Sequence, residues 1–176
     1  MKNILIISGS PRKNGNSDTL CDQFAKGASG AGHQVEKIFL GDKKLGFCTA
    51  CYACQSGNCP QQDDAVWIAE KMLTADVIVL STPVYFYTMS AQLKTLIDRS
   101  VMYYPRIEKK EFYYIMTMAD TEKANFRGTI EALRGFVECC ENSVEKGMIK
   151  AVGVYEKGEI RNTPFMQQAF EMGRSV

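Results

Sequence analysis

Short, purely apolar runs set between helical periodicities constrain this chain more than any other feature. Ile4-Leu5-Ile6-Ile7 and Val77-Ile78-Val79-Leu80 are rich in β-branched residues and bounded by polar or turn-forming residues. That is the pattern of strands buried on both faces. Residues 34–40 form a strand of more mixed character, closer to a sheet edge. Residues 112–118 give a fourth strand, and residues 147–154 a fifth, with Val152 and Val154 as its surest positions. Helices alternate with them. Residues 17–30 carry Leu20, Phe24 and Ala28 at i, i+4, i+8 spacing behind a cap at Asn16 or Ser17. Asp63 and Asp64 open a helix to about Ala75, and Ser90 caps one to about Met102. Thr121 to Glu145 is mostly helical with an interruption near Gly135, and Pro164 to Met172 closes the series.

Strands alternating with helices imply a parallel sheet covered on both faces, with right-handed crossovers. Five strands suit the doubly wound order 2-1-3-4-5, in which ligands bind outside the carboxyl ends of the strands, at the switch point between strands 1 and 3. The rule gathers three loops: residues 8–17, 81–88 and 117–122. A chain of 176 residues reads as one domain, with residues 41–62 as a Cys-rich loop insertion, and buries about 70% of its unfolded surface without disulfides.

The first loop, Ser8-Gly9-Ser10-Pro11-Arg12-Lys13-Asn14-Gly15-Asn16-Ser17, joins a buried strand to a helix start, a geometry that aims N–H groups at an anion. It lacks the Gly-Lys-Ser/Thr of a triphosphate loop and the G-x-G-x-x-G of a dinucleotide site. Its hydroxyls and basic residues suit one phosphate monoester; the bland alternative is a polar turn that binds nothing. The second loop, Thr82-Pro83-Val84-Tyr85-Phe86-Tyr87, is too aromatic for an idle turn. A rigid Pro and three aromatics can wall a flat ring, although one of the three can equally pack under the next helix. A phosphate beside a flat ring describes FMN.

Bulk properties narrow the class. Net charge is +1, which argues against a nucleic-acid partner and, more weakly, against an acidic electron carrier. No segment approaches the roughly 20 apolar residues of a membrane span, and the four-residue apolar run after Lys2 is no signal peptide. The expected location is cytoplasmic. Seven cysteines in a reducing compartment do not form a disulfide framework.

Gly9-Ser10-Pro11-Arg12, Gly15-Asn16-Ser17, the Cys48–Cys59 cluster, Asp63-Asp64, Ala75–Val79, Thr82–Tyr85 and Leu93–Arg99 together resemble, in this order, the NADPH-dependent FMN reductase-like flavoproteins, including their iron–sulfur branch. The resemblance covers residues 3–102. It implies a flavodoxin-like three-layer αβα sandwich with a five-stranded parallel sheet, bound FMN, electron exchange with NAD(P)H, and a homodimer or homotetramer. Carried onto matching positions, Ser10, Arg12, Asn16 and Ser17 would hold the phosphate. Pro83, Val84, Tyr85 and Phe86 would line the isoalloxazine, and Thr117 to Asp120 would complete the pocket. A near-neutral chain with Arg12 fits a reductase better than a flavodoxin-type shuttle.

Cys48, Cys51, Cys54 and Cys59, followed by Pro60, approximate a ferredoxin spacing with the last gap one residue longer. The iron–sulfur branch, which this spacing resembles, uses all four for one 4Fe–4S cluster. Free or redox-active thiols and a zinc site remain alternatives. Cys21, Cys139 and Cys140 read as buried structural thiols. Asp98 and Arg99 read as a local ion pair or a subunit contact, Trp67 as core or subunit contact, and His33, the only histidine, offers little basis for a hydrolase. No side-chain acid or base is assigned, since hydride chemistry belongs to the flavin; Tyr85 or Tyr87 could donate a proton or steer substrate. The leading function is an FMN-dependent NAD(P)H oxidoreductase passing electrons to flavin, quinone or another small or protein acceptor. The alternatives are an iron–sulfur flavoprotein in electron transfer and a flavin-binding thiol sensor.

Overall fold

The computed structural model describes residues 1–176. Its strands are β1 (Asn3–Ser8), β2 (Gln34–Phe39), β3 (Val77–Pro83), β4 (Glu111–Thr117) and β5 (Val144–Ala151). They form one sheet in the order β2-β1-β3-β4-β5, every pairing parallel. The helices are α1 (Asn16–Gly30), α2 (Asp64–Thr74), α3 (Ala91–Arg99), α4 (Arg127–Glu138) and α5 (Phe165–Arg174). This is the expected flavodoxin-like order, with β2 at an edge, where its mixed composition placed it.

The strand side chains alternate between two cores. Leu5, Ile7, Ile78, Leu80, Phe112 and Tyr114 face a layer built with Ile68 and Met72 of α2, Leu93 and Leu96 of α3, and Leu133 of α4. Ile4, Ile6, Val77, Val79, Tyr113 and Ile115 face the opposite layer with Leu20, Cys21 and Phe24 of α1 and Ala169 of α5. Each large apolar side chain withdrawn this way contributes about 1.5–3 kcal/mol. Because both faces are covered, β3 is buried along its whole length, which explains its unbroken apolar sequence.

Several boundaries differ from the sequence reading. The fifth strand starts at Val144 rather than residue 147 and ends at Ala151. As an edge strand it tolerates the mixed run Val-Glu-Lys-Gly, which hides its first half. The fourth helix is confined to Arg127–Glu138 and passes Gly135 without a break, preceded by a 3₁₀ turn at Lys123–Phe126. α3 stops at Arg99 and continues only as 3₁₀ turns. Gly15 occupies the N-cap position of α1 and no side chain caps that end, so Asn16 and Ser17 are its first helical residues. Cys139 is exposed just past α4, while Cys21 and Cys140 are buried. Burial pushes the Cys21 thiol up to about 12 and Cys140 to about 11, which leaves both inert near neutral pH. Trp67 packs against the core and donates its ring N–H to Asp64 Oδ1 at 2.9 Å. His33 accepts the Lys2 N–H at the far end of the sheet from the loops.

Candidate functional site

At the carboxyl ends of β1, β3, β4 and β5 the chain encloses a slot of about 100 Å³ lined by Ser10, Arg12, Ser17, Tyr85, Thr117 and Tyr155, among others. A wider groove of about 310 Å³, touched by Asn3, Glu36 and Thr74, lies at the amino ends of the strands, the wrong end of a parallel sheet for a ligand.

The floor of the slot is the start of α1. An α-helix leaves its first N–H groups without intrahelical partners, and here no side chain caps them. The turn before it is held by its own polar groups. Ser10 Oγ accepts the Arg12 N–H at 3.1 Å and donates to the Arg12 carbonyl at 2.9 Å. Asp18, 1% exposed, accepts from Ser8 Oγ at 2.8 Å, the Asn14 N–H at 2.9 Å and Lys37 Nζ at 3.0 Å. Asp18 therefore shapes the loop from beneath; an acid in a first helical turn was its only sequence signal.

Ser17 stands apart. It is 1% exposed, it lines the slot, and its Oγ has no hydrogen-bond partner. A buried hydroxyl without a partner is costly, and native structures leave few. An anion set on the uncapped helix start would satisfy it together with the free N–H groups.

Asn16 also lines the slot, but its amide is already used. Nδ2 donates to the Glu156 carbonyl at 2.9 Å, and Oδ1 accepts from the Gly158 N–H at 3.1 Å and the Ile160 N–H at 3.4 Å. Its side chain pins the connection after β5, so only its backbone N–H is open toward an anion. Arg12 Nη2 donates to the Tyr155 carbonyl at 3.1 Å in the same connection.

The aromatic loop is a tight turn. Tyr85 and Thr88 exchange N–H to carbonyl bonds at 2.9 and 3.1 Å, with Phe86 and Tyr87 between them at φ of 48° and 62°. Two consecutive non-glycine residues in the left-handed region are rare and unfavourable. α4 braces the turn, with Thr129 Oγ1 donating to the Tyr87 carbonyl. Pro83, Val84 and Tyr85 line the slot. Phe86 does not: it sits at the apex, 98% exposed, because the turn geometry points it out of the fold.

Thr117 lines the slot together with Met118 and Ala119. Asp120 does not. Its carboxylate accepts from the Glu122 N–H at 2.8 Å and Asn125 Nδ2 at 2.6 Å, and these bonds hold its carboxyl below the ordinary range.

Sequence reasoning missed the fourth wall, Val154 and Tyr155. Gly153 and Gly158 turn this connection at φ of 69° and 98°, and Glu159 accepts the Tyr155 and Glu156 N–H groups at 2.7 and 2.9 Å. The two glycines around a charged stretch were the available signal.

A second cavity, about 170 Å³, is lined by Cys48, Cys51, Cys54, Cys59, Arg99, Val101 and Met102. Cys48 and Cys51 are exposed, and Cys54 and Cys59 are half-buried. Hydrogen bonds from the Ala53 N–H and the Thr49 side chain lower the Cys51 thiol below its usual range. No three metal-ligating side chains converge on a point that one ion could occupy. Four thiols around one cavity, with no carboxylate or imidazole among them, match the donor set of an iron–sulfur cluster.

An iron–sulfur flavoprotein of Archaeoglobus fulgidus is 39% identical over 98 residues, 55% of this chain and 44% of that one. One of Methanocaldococcus jannaschii is 45% identical over 98 residues, 55% of this chain and 51% of the relative. The chain thus spans about half the length of these relatives. An NAD(P)H:quinone oxidoreductase from Methanothermobacter marburgensis superposes with a TM-score of 0.82 at 19% identity, covering 99% of this chain and 95% of that one, a likeness of fold. The NADPH-dependent FMN reductase family matches residues 2–131, and the chain belongs to that family.

Proposed function

We propose that this protein is an FMN-dependent NAD(P)H oxidoreductase that passes electrons to flavin, a quinone or another small or protein acceptor. The observation that carries the reading is the partnerless Ser17 Oγ, buried in the slot beside the uncapped start of α1. The slot is narrow at the start of α1 and open toward its mouth, so the phosphate would sit at its floor. The ring would rest in the open mouth between Tyr85 and Tyr155. Ser17 Oγ and the first N–H groups of α1 would hold the phosphate. Arg12 adds a positive charge, and Asn16 acts through its backbone and by fixing the residue 154–160 wall. Backbone groups of Pro83 to Tyr85 and Thr117 to Ala119 would meet the ring edge. Bound there, FMN would supply the hydride and electron-transfer chemistry. The chain supplies position and partial exclusion of water; Tyr85, at the mouth, is placed to steer an acceptor.

A second reading, favoured by the four thiols around one cavity, adds a 4Fe–4S cluster held by Cys48, Cys51, Cys54 and Cys59 and makes the protein an electron-transfer iron–sulfur flavoprotein. Exposed Phe86, Tyr87, Val101 and Tyr104 support assembly as a homodimer or homotetramer. The test is anaerobic purification followed by FMN titration, NADPH oxidation, and iron and sulfide assays. FMN binding with brisk oxidation and no iron supports the first reading; about four irons per chain supports the second. Failure to bind FMN at any concentration tested sinks both.

A further inference from the structure

Arg99 has no task in the reading above, yet its side chain is 2% exposed. A buried guanidinium is strongly unfavourable unless its donors are matched. Here Nη1 lies 2.6 Å from Asp63 Oδ2, 2.7 Å from the Gly46 carbonyl and 2.8 Å from Gln61 Oε1. Nη2 lies 2.9 Å from Asp63 Oδ1 and 3.4 Å from both Cys59 Sγ and the Gln61 carbonyl. The Gly46 N–H in turn donates to Asp63 Oδ2 at 2.7 Å. Gly46 begins the cysteine segment; Cys59, Gln61 and Asp63 end it. One planar cation, presented by the last residue of α3, therefore draws both ends of the segment together and reaches a thiol with a remaining N–H. A guanidinium can do this because its donors form a rigid fork, whereas an ammonium offers a point charge. Arg99 also lines the cavity shared by the four thiols. Burial works against its charge, but the Asp63 bonds outweigh burial and keep the guanidinium protonated.

We propose that Arg99 is the positioning residue of the four-thiol site: its fork latches residues 46–63 closed and its Nη2–H donates to the Cys59 sulfur. Where a cluster occupies the site, which rests on the second reading above, that donor sets a fixed positive charge beside one ligand and raises the cluster's potential, since hydrogen bonds to sulfur and local charge both tune it.

The experiment compares wild type with Arg99→Lys, which keeps the charge but loses the fork, and Arg99→Gln, which loses both. Asp63→Asn serves as an independent way to release the latch. Far-ultraviolet circular dichroism identifies the folded variants. In iron-free protein, iodoacetamide alkylation of Cys59, read by peptide mass spectrometry, is expected to quicken about tenfold in Arg99→Lys and in Asp63→Asn. Buried Cys21 stays unmodified throughout and serves as the internal control. In protein reconstituted anaerobically with iron and sulfide, the midpoint potential is expected to fall in Arg99→Gln and to fall less in Arg99→Lys. Cys59 alkylation within about twofold of wild type in the folded variants, or a potential unmoved by Arg99→Gln, overturns the proposal. If wild type takes up no iron, the cluster reading fails separately and the alkylation arm alone decides on Arg99.

Discussion

Replacing Ser17 with Ala should push two measurable quantities in opposite directions. In the ligand-free chain the Ser17 hydroxyl is buried and has no partner. A polar group left in that state costs about 1–3 kcal/mol, and Ala is also the better helix former by a few tenths of a kcal/mol. Against this stands a void of one oxygen atom. Ser17→Ala should therefore leave ligand-free stability unchanged or raise it by about 1 kcal/mol, read from urea unfolding. With FMN the sign reverses. A hydrogen bond to a charged group is worth about 1.5–3 kcal/mol, so the variant should bind FMN about 10- to 100-fold more weakly, read by quenching of flavin fluorescence. An ordinary structural serine would show a loss of stability with binding intact. If Ser17→Ala lowers ligand-free stability by more than about 1 kcal/mol while FMN affinity holds, Ser17 is not a phosphate ligand and the anion reading of the slot loses its main support.

Three further outcomes follow from named contacts. Asn16→Ala removes the side-chain bonds to the Glu156 carbonyl and to the Gly158 and Ile160 N–H groups; amide exchange at Gly158 and Ile160 should quicken about tenfold or more, even in protein free of FMN. Gly173→Ala would drive a Cβ into the Phe24 carbonyl where α5 crosses α1, lowering stability by about 1–3 kcal/mol in thermal unfolding, with FMN affinity of the folded fraction unchanged. The third concerns pH. Burial alone would raise the Asp63 carboxyl, but the Arg99 and Gly46 bonds outweigh it and hold it below the ordinary 3.8. A carboxyl depressed on folding adds stability above its unfolded value and loses it as pH falls through the folded one. The latch should hold at neutral pH and release only below 3.8, and a Gly46 amide resonance titrating at or above that value contradicts it.

The fold was legible because a two-sided parallel sheet writes itself into sequence as unbroken apolar runs. Ile4–Ile7 and Val77–Leu80 could hardly be anything else, and the strand order followed from the doubly wound rule. Edges and connections were less legible for one physical reason: their residues answer to particular partners distant in the chain. Val144 to Gly147 carries no periodicity because one side of β5 is open. Asn16 looked like a phosphate ligand by position, yet its partners lie about 140 residues away, and no local pattern shows that. The family resemblance placed Phe86 in the ring pocket; two successive left-handed residues turned it outward. Arg99 looked like the neighbour of Asp98, but Asp98 pairs with Lys94 one helical turn back, and Arg99 crosses to Asp63.

The long-range bonds of Ser90 and Arg99 lie at the two ends of α3, and that decides how the two candidate centres are held. At its amino end Ser90 caps the helix, donates Oγ–H to the Gly9 carbonyl at 2.7 Å, and has its own N–H bound by Thr82 Oγ1 at 2.8 Å. Gly9 opens the loop before α1, and a Cβ there would come within 2.8 Å of the Ser81 carbonyl and 2.9 Å of Leu93, so only glycine lets strand and helix approach this closely. At the carboxyl end Arg99 grips the thiol loop. Leu93 and Leu96 fix the rod between them in the core. Nine helical residues rise about 13 Å, and this rigid length spaces the anchor of the loop before α1 from that of the thiol loop. The thiol loop holds Ala50, Tyr52 and Gly57 at positive φ, and the loop before α1 holds Asn14 there. Bound at opposite ends of one buried helix, they keep a fixed separation, so a change that shortens or rotates α3 should disturb both sites together while one confined to either loop disturbs only its own.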